Sequence, residues 1–223
     1  LTFAPPTFGA CAGHSLGEWS ALVAAGAIRF ADAVRLTRLR GRFMQEAVPA
    51  GTGAMAALLG LSAADVDAVC AEAAQGEVVS AANLNGAGQI VIAGHKAAVE
   101  RAMVLAKARG AKRAVPLAVS APFHCALMAP AAERLAAALA EIAISDPTVP
   151  VVHNADARPN GDGARVKELL VRQVTAPVRW EACVQALASL GTTEALELGA
   201  GNVLAGLVKR IAPGIAVTSM EKV

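Results

Sequence analysis

Residues 9–22 read GACAGHSLGEWSAL: a serine with a glycine two places to either side, a histidine before it and a leucine after it. A short apolar run feeds the first glycine and a helix-forming run follows the serine. That is the setting of a nucleophile elbow, where a tight strand-to-helix turn holds Ser15 in strained backbone angles and projects its Oγ. The flanking glycines keep Cβ atoms out of so tight a turn. The free amides at the start of the next helix favour a developing oxyanion. A GxSxG match arises by chance at this composition with a probability of roughly 6%, so the flanking elements carry the reading more than the motif does.

A serine hydroxyl needs a base, and the chain offers four histidines. His14 is adjacent to the serine but would point to the other side of the elbow, which suits packing. His95 opens a helix after a strand, a cap or surface position. His153, in an apolar strand, reads as a core histidine with its hydrogen bonds satisfied. His124, in SAPFHCALM, follows a proline-marked strand end, where α/β folds gather their sites, and is the candidate base. An ordinary hydrolase triad would place an acid between serine and histidine in the chain. Asp32, Asp65 and Asp67 precede His124, but all three fall in helical segments, which argues against an ordinary esterase.

The elements that must hold these residues follow from periodicity. A strand is expected over 6–12 and helices over 15–28 and 30–48. A strand over 55–60 precedes a helix over 62–75, with Ser62 as N-cap and Asp65 at the capping-box position. Strands over 78–85 and 89–94, a helix over 96–110 and a strand over 112–118 complete a βαββαβ order, the ferredoxin-like arrangement. Beyond it come a helix over 123–142 bent or broken at Pro130, a strand over 149–156 and a turn at 160–163. Helices over 164–174 and 179–191, a strand over 193–199 and a helix over 202–212 finish the chain. Alternating strands and helices predict an α/β fold with a mostly parallel sheet, interrupted by the βαββαβ unit.

The 223 residues suffice for a sizeable core, and the hydrophobic 55% is rich in alanine. Aromatics are only 3% and the net charge +2, so neither a stacking platform for nucleic acid nor a polyanion partner is expected. The longest uncharged stretch, Ala114 to Ala132, holds three prolines and a histidine, which excludes it as a membrane span. Cys11, Cys70, Cys125 and Cys183 lie far apart without a CxxC pair and read as reduced thiols of a cytoplasmic protein.

Four stretches then occur in order: GHSLGE (13–18), LRGRFMQEAVPAGTGAMAALLG (39–60), NLNGAGQIVIAG (83–94) and FHCALM (123–128). Together they make the chain resemble the malonyl-CoA:acyl-carrier-protein transacylases, from about residue 10 to near the C-terminus. The resemblance implies an α/β-hydrolase-like large subdomain over 1–50 and 120–223 and a ferredoxin-like small one over 51–119. It implies a malonyl group carried from malonyl-CoA to the phosphopantetheine thiol of acyl carrier protein through a Ser15 ester, with His124 as base. Gln173 would hydrogen-bond the histidine in place of an acid. Arg40 would hold the malonyl carboxylate; without the resemblance, five arginines between Arg29 and Arg42 read as a solvated helix face. Phe123 matches the bulky residue carried by members selective for malonyl. No metal and no cofactor is expected, and a monomer is.

The chain also departs from the family pattern. No GQGxQ loop is found, so the sequence is expected to begin roughly seventy to eighty residues into the family's length. The oxyanion hole would then keep only the N–H of Leu16, and one lost donor typically costs about 10²–10³ in rate. Ala200 stands where proline is usual and Trp19 where tyrosine is commoner. Acyl carrier proteins are acidic, and the densest basic run, KARGAKR, holds Lys107, Arg109, Lys112 and Arg113. Lys112 and Arg113 start a strand running toward His124, which favours them for docking, although a solvated helix end accounts for the charges equally well. A serine esterase or thioesterase, and an inactive remnant that only binds carrier protein, are the alternative functions.

Overall fold

The turn of the elbow, with Gly13 and Gly17 on either side of Ser15, follows a strand of two residues, β1 (Cys11–Ala12), and leads into helix α1 (Leu16–Ala24). The computed structural model describes residues 8–221; Pro6 and Thr7 of the expected first strand lie outside them, and Phe8 to Ala10 are not strand. Helix α1 stops four residues before the expected end. Gly26 has φ +73°, and the Ala27 N–H turns back to the Leu22 carbonyl at 2.9 Å, which closes the helix as a Schellman-type cap. Helix α2 (Phe30–Glu46) follows.

The middle of the chain forms β2 (Gly53–Leu59), α3 (Ala63–Ala74), β3 (Val79–Leu84), β4 (Gln89–His95), α4 (Lys96–Ala108) and β5 (Arg113–Pro116). All its strand pairs are antiparallel and the spatial order is β3-β4-β2-β5, the order of a split βαβ unit. The expected capping box is present: Ser62 Oγ accepts from the Asp65 N–H at 3.1 Å. Period-two alternation buries both faces of the sheet. Ala56, Leu58, Ile90 and Ile92 pack against Val66, Val69, Ala98 and Ala102 of α3 and α4. Burying each Leu or Ile here contributes about 1.5–3 kcal/mol. The opposite face, with Met55, Ala82, Val91 and Ala93, covers Cys125, Phe123 and Leu127, and so rests on the segment that carries His124.

The remainder contains a 3-10 turn (Ala126–Met128), α5 (Ala129–Ala140), β6 (Val151–Val152), β7 (Pro159–Asn160), α6 (Gly163–Thr175), α7 (Trp180–Ser189), β8 (Glu194–Leu198), α8 (Val203–Ile211) and β9 (Ala216–Met220). Two expectations are corrected. Pro130 does not bend or break a helix; it sits in the first turn of α5, where its missing N–H costs no hydrogen bond, and the residues before it form the short turn instead. The strand expected over 149–156 is only two residues long, because His153 and Asn154 turn away into the site and the chain reverses through Ala157, at φ +56°. The parallel pairs are β1 with β6 and β8 with β9. Outside the βαββαβ unit the pairing is thus mostly parallel, as expected, and among the described residues the two parallel pairs lie in separate sheets. The strand β9 was not expected; most of its residues are exposed, so it lacks a clear apolar alternation. Helices α1, α2, α5 and α6 share one core, built from residues such as Leu22, Leu36, Leu135 and Leu170.

Candidate active site

Ser15 is the N-cap of α1 and has φ +50°, a region that L residues rarely occupy. The turn depends on Gly13, since a Cβ there would overlap the backbone of Gly17. Gly17 is different: a Cβ on it meets open space, so of the two motif glycines only the first is needed for its own Cβ direction. Asn154 ties the elbow together, accepting from the Ser15 N–H at 2.7 Å and donating to the Gly13 carbonyl at 2.8 Å.

Ser15 Oγ lies 2.8 Å from His124 Nε2, and His124 Nδ1 lies 2.8 Å from the main-chain carbonyl of Gln173. A carbonyl only accepts, so Nδ1 carries the proton and Nε2 is left bare to receive the serine proton. Gln173 therefore does meet the histidine, but with its backbone oxygen; its side-chain amide is used elsewhere. His124 also has a positive φ, +59°, so Ser15 and His124 both sit in strained backbone. Burial, then the positive charge of Arg40, holds His124 down to about 3.

This shift sets a pH expectation. The neutral, base-competent imidazole persists as pH falls, so kcat/KM, which reports the free enzyme, should stay flat well below pH 6.5 and fall only on approaching pH 3. Between those values the unfolded chain binds a proton here that the folded chain does not, so stability declines as pH drops through the window. An acid limb centred near the ordinary histidine value would show that the resting imidazole is not held neutral.

Arg40 is buried, with Nη2 donating to Ser15 Oγ at 2.9 Å and to Gln173 Oε1 at 3.0 Å. Its Nε is buried with no partner, and no carboxylate pairs with the guanidinium among the described residues. Burial lowers it to about 10, against the opposing pull of Glu18, which leaves it a cation at neutral pH. The solvated-face reading of this arginine does not hold, because Arg40 lies on the same buried stripe of α2 as Leu36, Phe43 and Met44.

The other expected residues are placed as follows. Leu16, exposed, is the first residue of α1, beside Ser15. Phe123 is partly buried and packs against both the helical core and the sheet face next to His124. Lys112 and Arg113 stand at the start of β5, where Arg113 faces Leu59. The Lys112 stem lies over Gly60, whose N–H donates at 2.9 Å to Gly88, in the same turn as Asn85. His14 packs its ring against Trp180 and bonds Asn85 Oδ1 at 2.9 Å, and His14 and Asn85 help line a cavity of about 340 Å³ with Gln89, Glu197 and Ala200. His95 caps α4 by position only, its Nδ1 accepting from the Val78 N–H at 2.9 Å. His153 is in the core, but its Nε2 has no partner among the described residues, contrary to the expected full satisfaction. Trp19 is buried, and its indole N–H is likewise unpaired.

Glu18 and Asn154, both fully buried against the elbow, were not singled out by the sequence reading. A charged residue in the first turn of an otherwise apolar helix was the available signal for Glu18.

An elbow serine, a neutral histidine and an unpaired buried cation on a mixed α/β frame describe an acyl-transferring enzyme, and residues 6–211 match the acyl transferase domain family. A malonyl CoA-acyl carrier protein transacylase of Escherichia coli is 56% identical over 211 residues, which is 95% of this chain and 68% of that protein. The crystal structure of an acyl carrier protein S-malonyltransferase from Vibrio cholerae superposes with a TM-score of 0.95 at 51% identity, covering 98% of this chain and 71% of that one. A malonyl-transacylase solved in complex with its type II PKS acyl-carrier protein gives a TM-score of 0.95 at 50% identity, covering 98% and 71%. The chain belongs to the malonyl CoA-acyl carrier protein transacylase family. Among the described residues, no helix is long and apolar enough to cross a membrane.

Proposed function

We propose that this chain moves a malonyl group from malonyl-CoA to the phosphopantetheine thiol of an acyl carrier protein through a Ser15 ester. The observation that carries this reading is Arg40: a buried cation, 2.9 Å from the nucleophile, whose Nε has no partner. A planar guanidinium with a free donor there suits a carboxylate on the acyl group, which a simple esterase substrate lacks. Ser15 O–H passes its proton to His124 Nε2 as Oγ attacks the thioester carbonyl, with the Leu16 N–H facing the oxyanion. The C–S bond then breaks and the departing sulfur takes the proton from His124. In the second half the carrier thiol gives its proton to His124, attacks the serine ester and releases Ser15. Both halves move only an acyl group and a proton, so no cofactor is needed. Phe123 walls the acyl end beside the base. Lys112 and Arg113, near the turn that touches His14, attract the acidic carrier, a contact that acts on encounter rate and weakens with salt.

Incubation with malonyl-CoA and carrier protein tests the reading, with malonyl-carrier and free malonate both quantified. Malonyl-carrier should dominate. Free malonate in excess would indicate a thioesterase, and neither product an inactive binding remnant. In the same assay, Lys112→Glu with Arg113→Glu should raise KM for carrier protein several-fold while leaving serine acylation by malonyl-CoA nearly unchanged. Normal transfer by this variant at low salt would place docking elsewhere.

A further inference from the structure

Three helices of one core each carry a polar side chain where helical spacing calls for an apolar one. Glu18 shares the buried face of α1 with Ala21 and Leu22, Arg40 that of α2 with Leu36 and Phe43, and Gln173 that of α6 with Leu169, Leu170 and Val174. The three are joined in a line. The Glu18 carboxylate accepts from His153 Nδ1 at 2.6 Å, from the Asn154 N–H at 2.8 Å and from Gln173 Nε2 at 2.8 Å. Gln173 Nε2 also reaches the Ser15 carbonyl at 3.0 Å, and Gln173 Oε1 accepts from Arg40 Nη2 at 3.0 Å. The amide thus stands between a carboxylate that only accepts and a guanidinium that only donates. Only one of its two flipped orientations satisfies both neighbours.

We infer that Glu18 is a positioning residue for the carboxylate clamp: through the Gln173 amide it fixes Arg40 against Ser15, and it supplies the buried counter-charge that keeps an arginine there while no substrate carboxylate is bound. The consequence for substrate choice rests on the malonyl-transfer reading above; the charge coupling itself does not. A buried arginine without an opposing charge is strongly disfavoured, and Glu18 is the wholly buried carboxylate joined to Arg40 by this single amide. His153 Nδ1, 2.6 Å from Glu18 Oε1, helps to hold the carboxylate in place. When malonate enters, its carboxylate pairs with the free donors of the Arg40 guanidinium, and Gln173 keeps the Nη2 side of the fork in register.

The isosteric Glu18→Gln removes the charge and lets the Gln173 amide lose its single orientation. In the full chain, its malonyl-to-acetyl ratio of kcat/KM should fall about tenfold or more, chiefly through KM for malonyl-CoA. In an Arg40→Ala background the same change should leave the ratio within about twofold, since the group it acts through is gone. A stability cycle reads the coupling without any substrate. Glu18→Gln and Arg40→Ala should each lower Tm by on the order of 10 °C, and the double variant should melt no lower than the worse single one. If Glu18→Gln fails to fold alone, the double variant should still fold at least as well as Arg40→Ala. Additive losses in Tm would overturn the charge coupling whatever the substrate. A non-additive cycle with an unchanged malonyl-to-acetyl ratio would overturn the positioning role while leaving malonyl transfer itself standing.

Discussion

Ser15→Ala should yield no acyl-enzyme when the variant is mixed with malonyl-CoA and weighed intact, because no second nucleophile is in place among the described residues. The nearest rival by sequence is Cys125, one residue after the base. Its thiol is buried, donates to the Pro122 carbonyl at 3.1 Å, and is pushed up to about 11 by burial, so it is neither free nor ionised at neutral pH. His124→Ala retains the hydroxyl but removes the acceptor 2.8 Å away, and acylation should slow by on the order of 10²–10⁴-fold. The two losses need not add, since serine and histidine act as a unit. A malonyl adduct on any residue other than Ser15 would remove the nucleophile assignment, and normal acylation of the histidine variant would remove the base.

Much of this site was legible in the sequence because its parts leave local signatures. A glycine before the serine, a helix after it and a histidine beyond a proline are features of short stretches. The antiparallel unit was legible for the same reason: Ser62 and Asp65 cap their helix within four residues, and β2 and β4 alternate apolar side chains along their own length. What escaped depends on partners far along the chain. Asn154 looks like part of a strand until Ser15 and Gly13 claim its amide, and that claim ends the strand at Val152. Gln173 was assigned to the histidine, yet which of its oxygens makes the contact is set by how α6 ends against His124.

Glu18, and Arg40 where it is read without the resemblance, show a different kind of difficulty. Both lie on the buried faces of their helices, whereas charge alone suggests the solvent. Helical period is the stronger signal when it conflicts with charge, since one mis-set residue would turn a whole apolar face outward. A charged residue on such a stripe then calls for a partner or a ligand. Applied to α2, that rule picks Arg40 out of the five arginines between Arg29 and Arg42 without reference to any family.

Arg40→Ala should separate the acyl groups. Malonyl transfer loses a charge-assisted, two-point contact in a buried site, and its kcat/KM should fall by about 10²–10³-fold. Acetyl has no carboxylate to strand, so its transfer should persist or improve. The improvement has a structural source: in the resting enzyme Arg40 Nη2 donates to Ser15 Oγ at 2.9 Å, and its charge helps hold His124 down to about 3, so removing it leaves the hydroxyl unencumbered and the imidazole more basic. The acid limb of acetyl transfer should accordingly move to higher pH in Arg40→Ala. Arg40→Lys keeps a positive charge but not the planar fork, and should restore malonyl transfer only in part. Paired kcat/KM measurements with malonyl-CoA and acetyl-CoA across pH decide the matter. Equal losses for both acyl groups, with an unmoved acid limb, would mean that Arg40 supports the fold around Ser15 rather than the carboxylate of the substrate.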